Sequence, residues 1–461
     1  MRYKAYKKVD LPWLEEIPEH WEIAALKRFT DIYTGNSIPD EKKDHYTKND
    51  SARPYISTKD IRKDNNTIDY NNGMYIQKND LSFKIAPKGA SLVCIEGGSG
   101  GEKIGYLEKE VSFVNKLCCV SSEKQVNDKF VFFLLLSNQF KHQYKMSVTG
   151  DRNGVNLGKL GTFNFALPPK EEQEQIAEFL DWKINEIDRL IGLERAKINS
   201  VENLKQVLIN KYLFSGLDKN VPKVNITTDY TNSIPESWKF ESIKRNFEIV
   251  KNIVGEEGYN ILSITQKGIK IKDISANEGQ MAQNYSNYQF VEVGDFAMNH
   301  MDLLTGYIDI SKHFGVTSPD YRVFRIKNDK KIYPEYYLLM FQLFYKRRVF
   351  YKLGQGAARM GRWRLPAKKF LKMYVPVPSF DEQKRIVDKI KSELLSLNKY
   401  IENLDNTIQA LKNLKKTLIS DVVTGKVDIR NIDIPEYEKV QILDDTLEED
   451  TEVEIDFEEE D

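Results

Sequence analysis

The feature that most constrains this chain is internal repetition. Residues 168–180 read PPKEEQEQIAEFL and residues 378–390 read PSFDEQKRIVDKI, with the same proline, Glu-Gln pair and apolar spacing. IPEHWEIAALKR (17–28) returns as IPESWKFESIKR (234–245), and NLKQVLINKYLFSGLD (203–218) returns as NLKKTLISDVVTGKVD (413–428). Weaker echoes pair KLCCVSS (116–122) with DYRVFRI (320–326), NDKFVFFLLLS (127–137) with YPEYYLLMFQL (333–343), and TGDRNGVNLGKL (149–160) with QGAARMGRWRL (355–365). The order is the same in both halves, so the chain is an internal duplication, and the repeat unit governs every later reading of the fold.

Each half consists of a variable region followed by a better-matched segment with helical periodicity. In the first segment Ile176, Leu180, Ile184, Ile187, Ile191, Ile198, Val201, Leu204 and Leu208 recur mainly every three or four residues. The second runs Ile386, Ile390, Leu394, Leu397, Ile401, Leu404, Ile408, Leu411, Leu414 and Leu418. Sustained 3–4 spacing with charges between predicts a coiled-coil seam. Both helices start after proline, Ser379 with Glu382 fits a capping box, and Gly216 and Gly425 stand where each helix should stop. A helix of about 45 residues is roughly 65–70 Å long, and two of them can pair antiparallel as a rod carrying a variable region at each end. The competing reading is two independent helices, each packed on its own domain.

The variable regions mix strand-like runs (Ala90–Glu96, Gly294–His300) with helical ones (Lys129–Phe140, Glu335–Phe350) and show no βαβ regularity, which predicts compact α+β domains. The expected division is a first globular domain over 1–167, a helix over 168–220, a second domain over 221–377, a helix over 378–430 and an acidic tail over 431–461.

Charge is distributed unevenly. Twelve carboxylates and no Lys or Arg lie between Asp444 and Asp461. Subtracting them from the net −1 leaves the rest of the chain at +11, a balance suited to a polyanionic partner. The tail reads either as a disordered solubilising segment or as a competitor with DNA for the basic body. No apolar run long enough to span a membrane and no secretory leader is present, and the three cysteines lack any metal spacing, so a reducing cytoplasm is expected.

Enzyme signals are weak. GGSGGEKIG (97–105) departs from a P-loop at Glu102 and lacks Ser or Thr after Lys103, so it reads as a flexible loop or as a backbone contact for phosphate. No Asn/Asp-Pro-Pro-Tyr/Phe tetrad for a flipped base is found, PDEKK (39–43) has its acids and lysine contiguous, and the five histidines are scattered. The expectation is a chain with no catalytic residues and no bound metal.

Binding signals are stronger. Ten Lys or Arg residues and no acid lie between Lys346 and Lys372, interspersed with Gly354, Gly356 and Gly361. Such a loop can follow a phosphate backbone while an arginine forks onto guanine. The candidate DNA contacts are Arg347, Arg348, Gln355, Arg359, Arg362, Trp363 and Arg364 here, with Trp363 either a wedge or a core residue. In the first half they are Arg152, Asn153 and Asn156, side chains of which the asparagines suit adenine. Lys59 in STKD, Lys103 in the glycine loop, and Gln266 with Lys267 in TQK are weaker candidates.

These features resemble the specificity subunit of type I restriction-modification systems. The resemblance rests on WLEEIPEHWE with SIPESWKF, on LPPKEEQEQIAEFLDWKINEIDRLI with VPVPSFDEQKRIVDKI, and on the two NLK helix endings, and it covers the chain to about residue 430. It implies two target recognition domains, each reading one half of a split DNA sequence, on an antiparallel coiled coil. It implies that two methyltransferase subunits bind this chain and that restriction subunits join them, with S-adenosylmethionine, ATP and Mg²⁺ belonging to those partners. The seam residues Ile176, Leu180, Ile187, Leu204, Ile386, Leu397, Leu404 and Leu411 are the expected partner-binding positions. A coiled-coil assembly scaffold without sequence-specific DNA binding is the alternative, and the acidic tail departs from the family pattern.

Overall fold

The computed structural model describes residues 2–439 except 40, 42, 44, 45, 47–50, 124, 149–153, 274–283, 305 and 357–362. The chain divides into two units, residues 1–195 with 405–461, and residues 196–404. The helices of the first domain are α1 (Asp128–Leu136), α2 (Asn138–Ser147) and α3 (Leu157–Leu160), followed by the long α4 (Lys170–Ser215). The second contains α5 (Ile243–Asn246), α6 (Pro334–Lys346), α7 (Val349–Lys352) and α8 (Ala367–Lys372), followed by the long α9 (Phe380–Val423).

The duplication visible in the motifs is a duplication of topology. In the first unit an antiparallel sheet has the order Thr30–Thr34, Leu117–Ser122, Ser91–Cys94, Ile104–Tyr106. In the second the order is Phe247–Val250, Arg322–Ile326, Phe296–Met298, Ile308–Ile310, again antiparallel. The weak match of KLCCVSS to DYRVFRI is therefore a match between the same inner strand of two sheets. It is weak in sequence because a strand buried on both faces needs only apolar, mostly branched or aromatic residues. The strand after each IPE-x-W motif pairs antiparallel with the strand leading into each long helix: Glu22–Ala25 with Asn164–Leu167, and Lys239–Ser242 with Tyr374–Val377. Mixed strands and helices in two like halves make this an α+β chain with an internal repeat, and α4 and α9 pair antiparallel.

The repeated motifs are the scaffold's fasteners. Gln173, buried to 2% exposure, donates from Nε2 to Pro168 O (2.9 Å) and accepts on Oε1 from Asn127 N (3.0 Å). Gln383, fully buried, donates to Pro378 O (2.9 Å) and Lys331 O (3.0 Å) and accepts from Tyr333 N (2.8 Å). Asn127 and Tyr333 are the N-caps of α1 and α6, so each glutamine ties the start of a long helix to the start of its domain's own helix. An unpaired buried amide or backbone N–H is costly, which makes glutamine, with one donor and one acceptor end, the residue for this position.

The IPE-x-W motifs seat the helix ends. Gly425, just past α9, has φ +75° and lies so close to Pro18 and Trp21 that a Cβ would stand 2.4 Å from Pro18 Cδ. Gly216, just past α4, has φ +72° and lies against Trp238 and Pro235. Left-handed backbone and close approach together select glycine. Each unit is thereby built from chain segments far apart in sequence: residues 17–21 hold the end of α9, and residues 234–238 hold the end of α4.

In the first unit, Ile176, Ala177, Phe179 and Leu180 of α4 and Ile419, Val422 and Val423 of α9 belong to one core with Trp21, Phe130 and Phe165. Lys415 of α9 donates twice to the Asp188 carboxylate of α4, at 2.9 and 2.8 Å. In the second unit Ile209, Tyr212, Leu213 and Phe214 of α4 share a core with Ile386, Val387 and Ile390 of α9 and the aromatic face of α6. Cys94, Cys118 and Cys119 are buried thiols, and burial pushes each above the usual range.

Candidate nucleic-acid interface

The cationic segment of the second domain has a fixed base. Gln355 N donates to Arg364 O (2.8 Å) and Arg364 N returns a bond to Gln355 O (3.0 Å), an isolated antiparallel bridge that closes the loop between them. Both side chains are exposed. Arg359 and Arg362 lie outside the described residues, as do Arg152 and Asn153. The bridge brings the ends of the 355–364 loop together on the domain surface.

Trp363 anchors this base. Its indole N–H donates to Tyr351 O (2.7 Å), its ring lies 5.4 Å from that of Tyr351, and it fills the space beside Gly354, where a Cβ would meet it at 2.2 Å. Of the two readings of Trp363, packing is the one its surroundings support: with its indole committed inward, it is not free to wedge between bases. Arg347 likewise donates inward, to Asn210 Oδ1 and to Tyr230 O, and so braces the end of α6 against α4. Arg348 is exposed, with φ +56° at the N-cap of α7.

Sequence reasoning missed the two residues beneath the loop. Arg322, 5% exposed, donates from Nη2 to Leu365 O (2.7 Å) and lies over the Phe370 ring, with no hydrogen-bond partner for Nη1. His300, also 5% exposed, accepts on its backbone oxygen from Leu365 N (2.9 Å). Burial, with Arg322 and Arg364 nearby, lowers the His300 imidazole to about 3 and keeps it neutral. Burial also lowers the Arg322 guanidinium, to about 10. Among the described residues no carboxylate pairs with this buried arginine, which makes the ground beside Leu365 electropositive. The available signal was the polar break in the apolar run GDFAMNH, and it does not by itself point to a loop 64 residues further on.

The remaining cations of the stretch are outside that base. Lys346, Lys368 and Lys372 are exposed and Lys369 half-buried, and among the described residues none is paired with a carboxylate, whereas Lys352 pairs with Asp229 at 3.1 Å. Unpaired surface cations of one sign are what phosphate contact requires.

In the first domain the structure brings two candidates together. Lys59 is exposed on a one-turn 3-10 helix (Thr58–Asp60) fixed by Asp60, which accepts from Ser57 N, Ser57 Oγ and Asn72 Nδ2 at 2.7 Å each. Lys103 donates to Thr58 O on the same turn (3.1 Å). The glycine-rich segment is a structured turn: Gly101, φ +71°, donates to Cys94 O and covers the Tyr144 ring, which a Cβ would meet at 2.6 Å. Asn156 is exposed, but its Oδ1 caps α3 by accepting from Lys159 N (2.9 Å). Gln266 and Lys267 form the exposed tip of the hairpin pairing Leu262–Thr265 with Gly268–Ile271. They are remote in sequence from the 355–364 loop.

Several expected partner-binding positions are spent inside the chain. Ile176, Leu180 and Ile386 have 0% exposure, and Ile187 and Leu404 are buried. Leu397 and Leu411 are half-buried, and Leu204 is 45% exposed. Helical spacing identifies the apolar stripe without saying which neighbour covers it, so the first three belong to domain cores and offer no surface to another chain. The apolar side chains left exposed on the long helices are Leu190, Leu193 and Leu414 in the first unit and Leu204, Val207, Leu395 and Tyr400 in the second.

Among the described residues no group of three or more His, Cys, Asp or Glu is placed to hold a metal, and no helix is long and apolar enough to cross a membrane. Two like domains, each bearing exposed cations on fixed turns and each fastened to a shared pair of helices, define a two-module nucleic-acid-reading protein. Comparison with known proteins gives the family. A model of the type I restriction modification DNA specificity domain matches residues 18–203 and again 242–418, and the chain belongs to that family. It is 22% identical over 448 residues to the type I restriction enzyme MjaVIII specificity subunit of Methanocaldococcus jannaschii, covering 90% of this chain and 95% of that one. To the EcoKI specificity subunit of Escherichia coli K12 it is 20% identical over 439 residues, covering 89% and 90%. A chain from a structural study of complex assembly and conformational transition in a type I restriction-modification system superposes with a TM-score of 0.60 at 14% identity, over 89% of this chain and 99% of that one, a likeness of fold.

Proposed function

We propose that this DNA specificity subunit reads a bipartite target, one half-site per domain, and directs methyltransferase and restriction subunits to it without chemistry of its own. The observation that carries the reading is the repeated fastening of each domain, through Gln173 and Gln383 and through Gly216 and Gly425, to the same antiparallel helices. A reader fixed to a stiff element holds its half-site at a set position, so the parts repeated in both halves measure distance while the parts that differ choose bases. The exposed leucines on α4 and α9 support docking of two methyltransferase subunits, with restriction subunits joining them. S-adenosylmethionine, ATP and Mg²⁺ then act in those partners, and the complex works in the cytoplasm.

Phosphate contacts from Arg348, Lys368 and Lys372 supply affinity in this account, and Arg364 with the loop it closes supplies sequence. The test is DNA binding by the assembled complex as salt rises. A reader that contacts several phosphates loses affinity steeply, whereas salt-independent or undetectable binding would favour an assembly scaffold.

A further inference from the structure

A second basic site lies within the first unit, bordered by Glu102 of the glycine-rich turn. A cavity of about 330 Å³ is enclosed by residues 63–66 and 102 of the first domain, by α2, and by the facing stretches of α4 and α9. Six cations line it against three acids. Three of the cations are matched: Lys63 with Glu102 at 3.6 Å, Arg195 with Asp64 at 3.8 Å, and Lys415 with Asp188. Among the described residues, Lys141, Lys412 and Lys416 form no ion pair with a carboxylate. Lys141 is half-buried, and burial, partly offset by Glu102 and reinforced by Lys416 and Lys63, pulls its ammonium below the usual lysine range. An under-compensated cation in a partly closed cavity is stabilised by an anionic ligand.

The direction of the chain's own C-terminal segment points to that ligand. After α9, Ile432 O accepts from Gln175 (3.0 Å), Tyr437 donates to Asp181 (3.0 Å), Glu438 O accepts from Asn185 (2.9 Å), and Lys439 pairs with Asp181 (3.2 Å). The segment thus runs along α4 towards the helix's C-terminal end. At 3.6 residues per turn, Asp181, Asn185, Asp188, Gly192 and Arg195 share one face, and the last three line the cavity. From Asn185 to Arg195 is about 15 Å of helix rise, and the five residues from Lys439 to Asp444 reach about 17 Å when extended. At Asp444 begin the twelve carboxylates.

We propose that this cavity is a docking site for the chain's own acidic segment, residues 444–461, whose carboxylates bind Lys141, Lys412 and Lys416 and compete with DNA phosphate for that surface. The docking depends only on charges within this chain; its consequence for DNA rests on the DNA-reading function proposed above.

Carbodiimide coupling, which joins a carboxylate to a contacting amine without a spacer, tests the docking on the full chain with no DNA present. The expected peptides link residues 444–461 to Lys141, Lys412 or Lys416. Links scattered over other lysines, or no links, would overturn the proposal. In a second measurement a labelled peptide of residues 440–461 is added to the chain ending at Lys439. Binding should weaken about tenfold between roughly 50 and 200 mM salt, and by a similar factor in the variant K141Q/K412Q/K416Q, whose unfolding midpoint reports that it folds. Equal affinity for that variant would contradict the site. Duplex DNA should release the peptide; a peptide that stays bound beside saturating duplex would refute the competition. If duplex protects the three lysines from modification in a full chain whose tail never couples to them, DNA is the occupant and the proposal fails.

Discussion

Gln173 Oε1 accepts the backbone N–H of Asn127 at 3.0 Å, and through that bond the first turn of α4 holds the N-cap of α1. The second half repeats the arrangement with Gln383 and Tyr333 at 2.8 Å. The Glu-Gln pair conspicuous in both helix starts is therefore a structural fastener: the glutamine ties each long helix to its domain's own helix, and in the first half Glu172 also accepts from Tyr3 Oη and meets His20 Nε2 at 2.8 Å.

Replacing that glutamine should damage the fold more than its size suggests. Gln383→Leu removes a buried acceptor and a donor at once, taking a bond from Tyr333 N–H, Pro378 O and Lys331 O, at a cost of about 1–3 kcal/mol per stranded group. Urea unfolding should show a lowered midpoint for Gln383→Leu and for Gln173→Leu.

The helix-end glycines should be similarly intolerant. Gly425→Ala combines a positive φ with a Cβ 2.4 Å from Pro18, and a loss of about 1–3 kcal/mol is expected. Gly73 has φ +86° but open space around it, so Gly73→Ala carries the backbone cost alone, about 1–2 kcal/mol. Thermal unfolding of the two variants side by side separates close approach from conformational strain.

The repeated motifs were legible in sequence because they fasten the scaffold, and scaffold bonds require particular residues: a glutamine with both ends occupied, a glycine at positive φ, a tryptophan under it. The long helices were equally legible, since 3–4 spacing survives any change of apolar residue. What covers that stripe was not, because Ile176 or Ile386 in a domain core and a leucine in an open seam have the same periodicity. The base of the cationic loop was also hidden. Arg322 and His300 bond Leu365 directly, but only the pairing of distant strands brings them there, and no local pattern links them.

The second domain should lose stability with mild acid through His300. Its imidazole titrates near 3 when folded and near 6.5 when unfolded, so the unfolded chain binds the proton first. The stabilisation is complete above about pH 6.5 and drains away as pH falls towards 3, by about 2 kcal/mol at pH 5. Urea midpoints for the parent should fall between about pH 7 and pH 5. His300→Asn, which cannot titrate beside Arg322 and Arg364, should flatten that dependence, and an unchanged pH profile would show that His300 is not the group responsible.

Arg364→Ala should weaken DNA binding by about 1–3 kcal/mol, with the loss falling on one position of one half of the target. Trp363→Phe keeps the packing on Tyr351 and Gly354 but lacks the indole donor, and should lower stability without changing which sequence is bound.

The central claim is that two readers on one pair of helices recognise two short sequences a set distance apart. Single-molecule sequencing of methylated DNA from cells carrying this chain with its methyltransferase partner tests it directly. The account predicts methylation in two short motifs separated by a constant number of unspecified bases. It also predicts that altering Arg364 changes only one of them. A single uninterrupted motif, a variable gap, or methylation without sequence preference would contradict it.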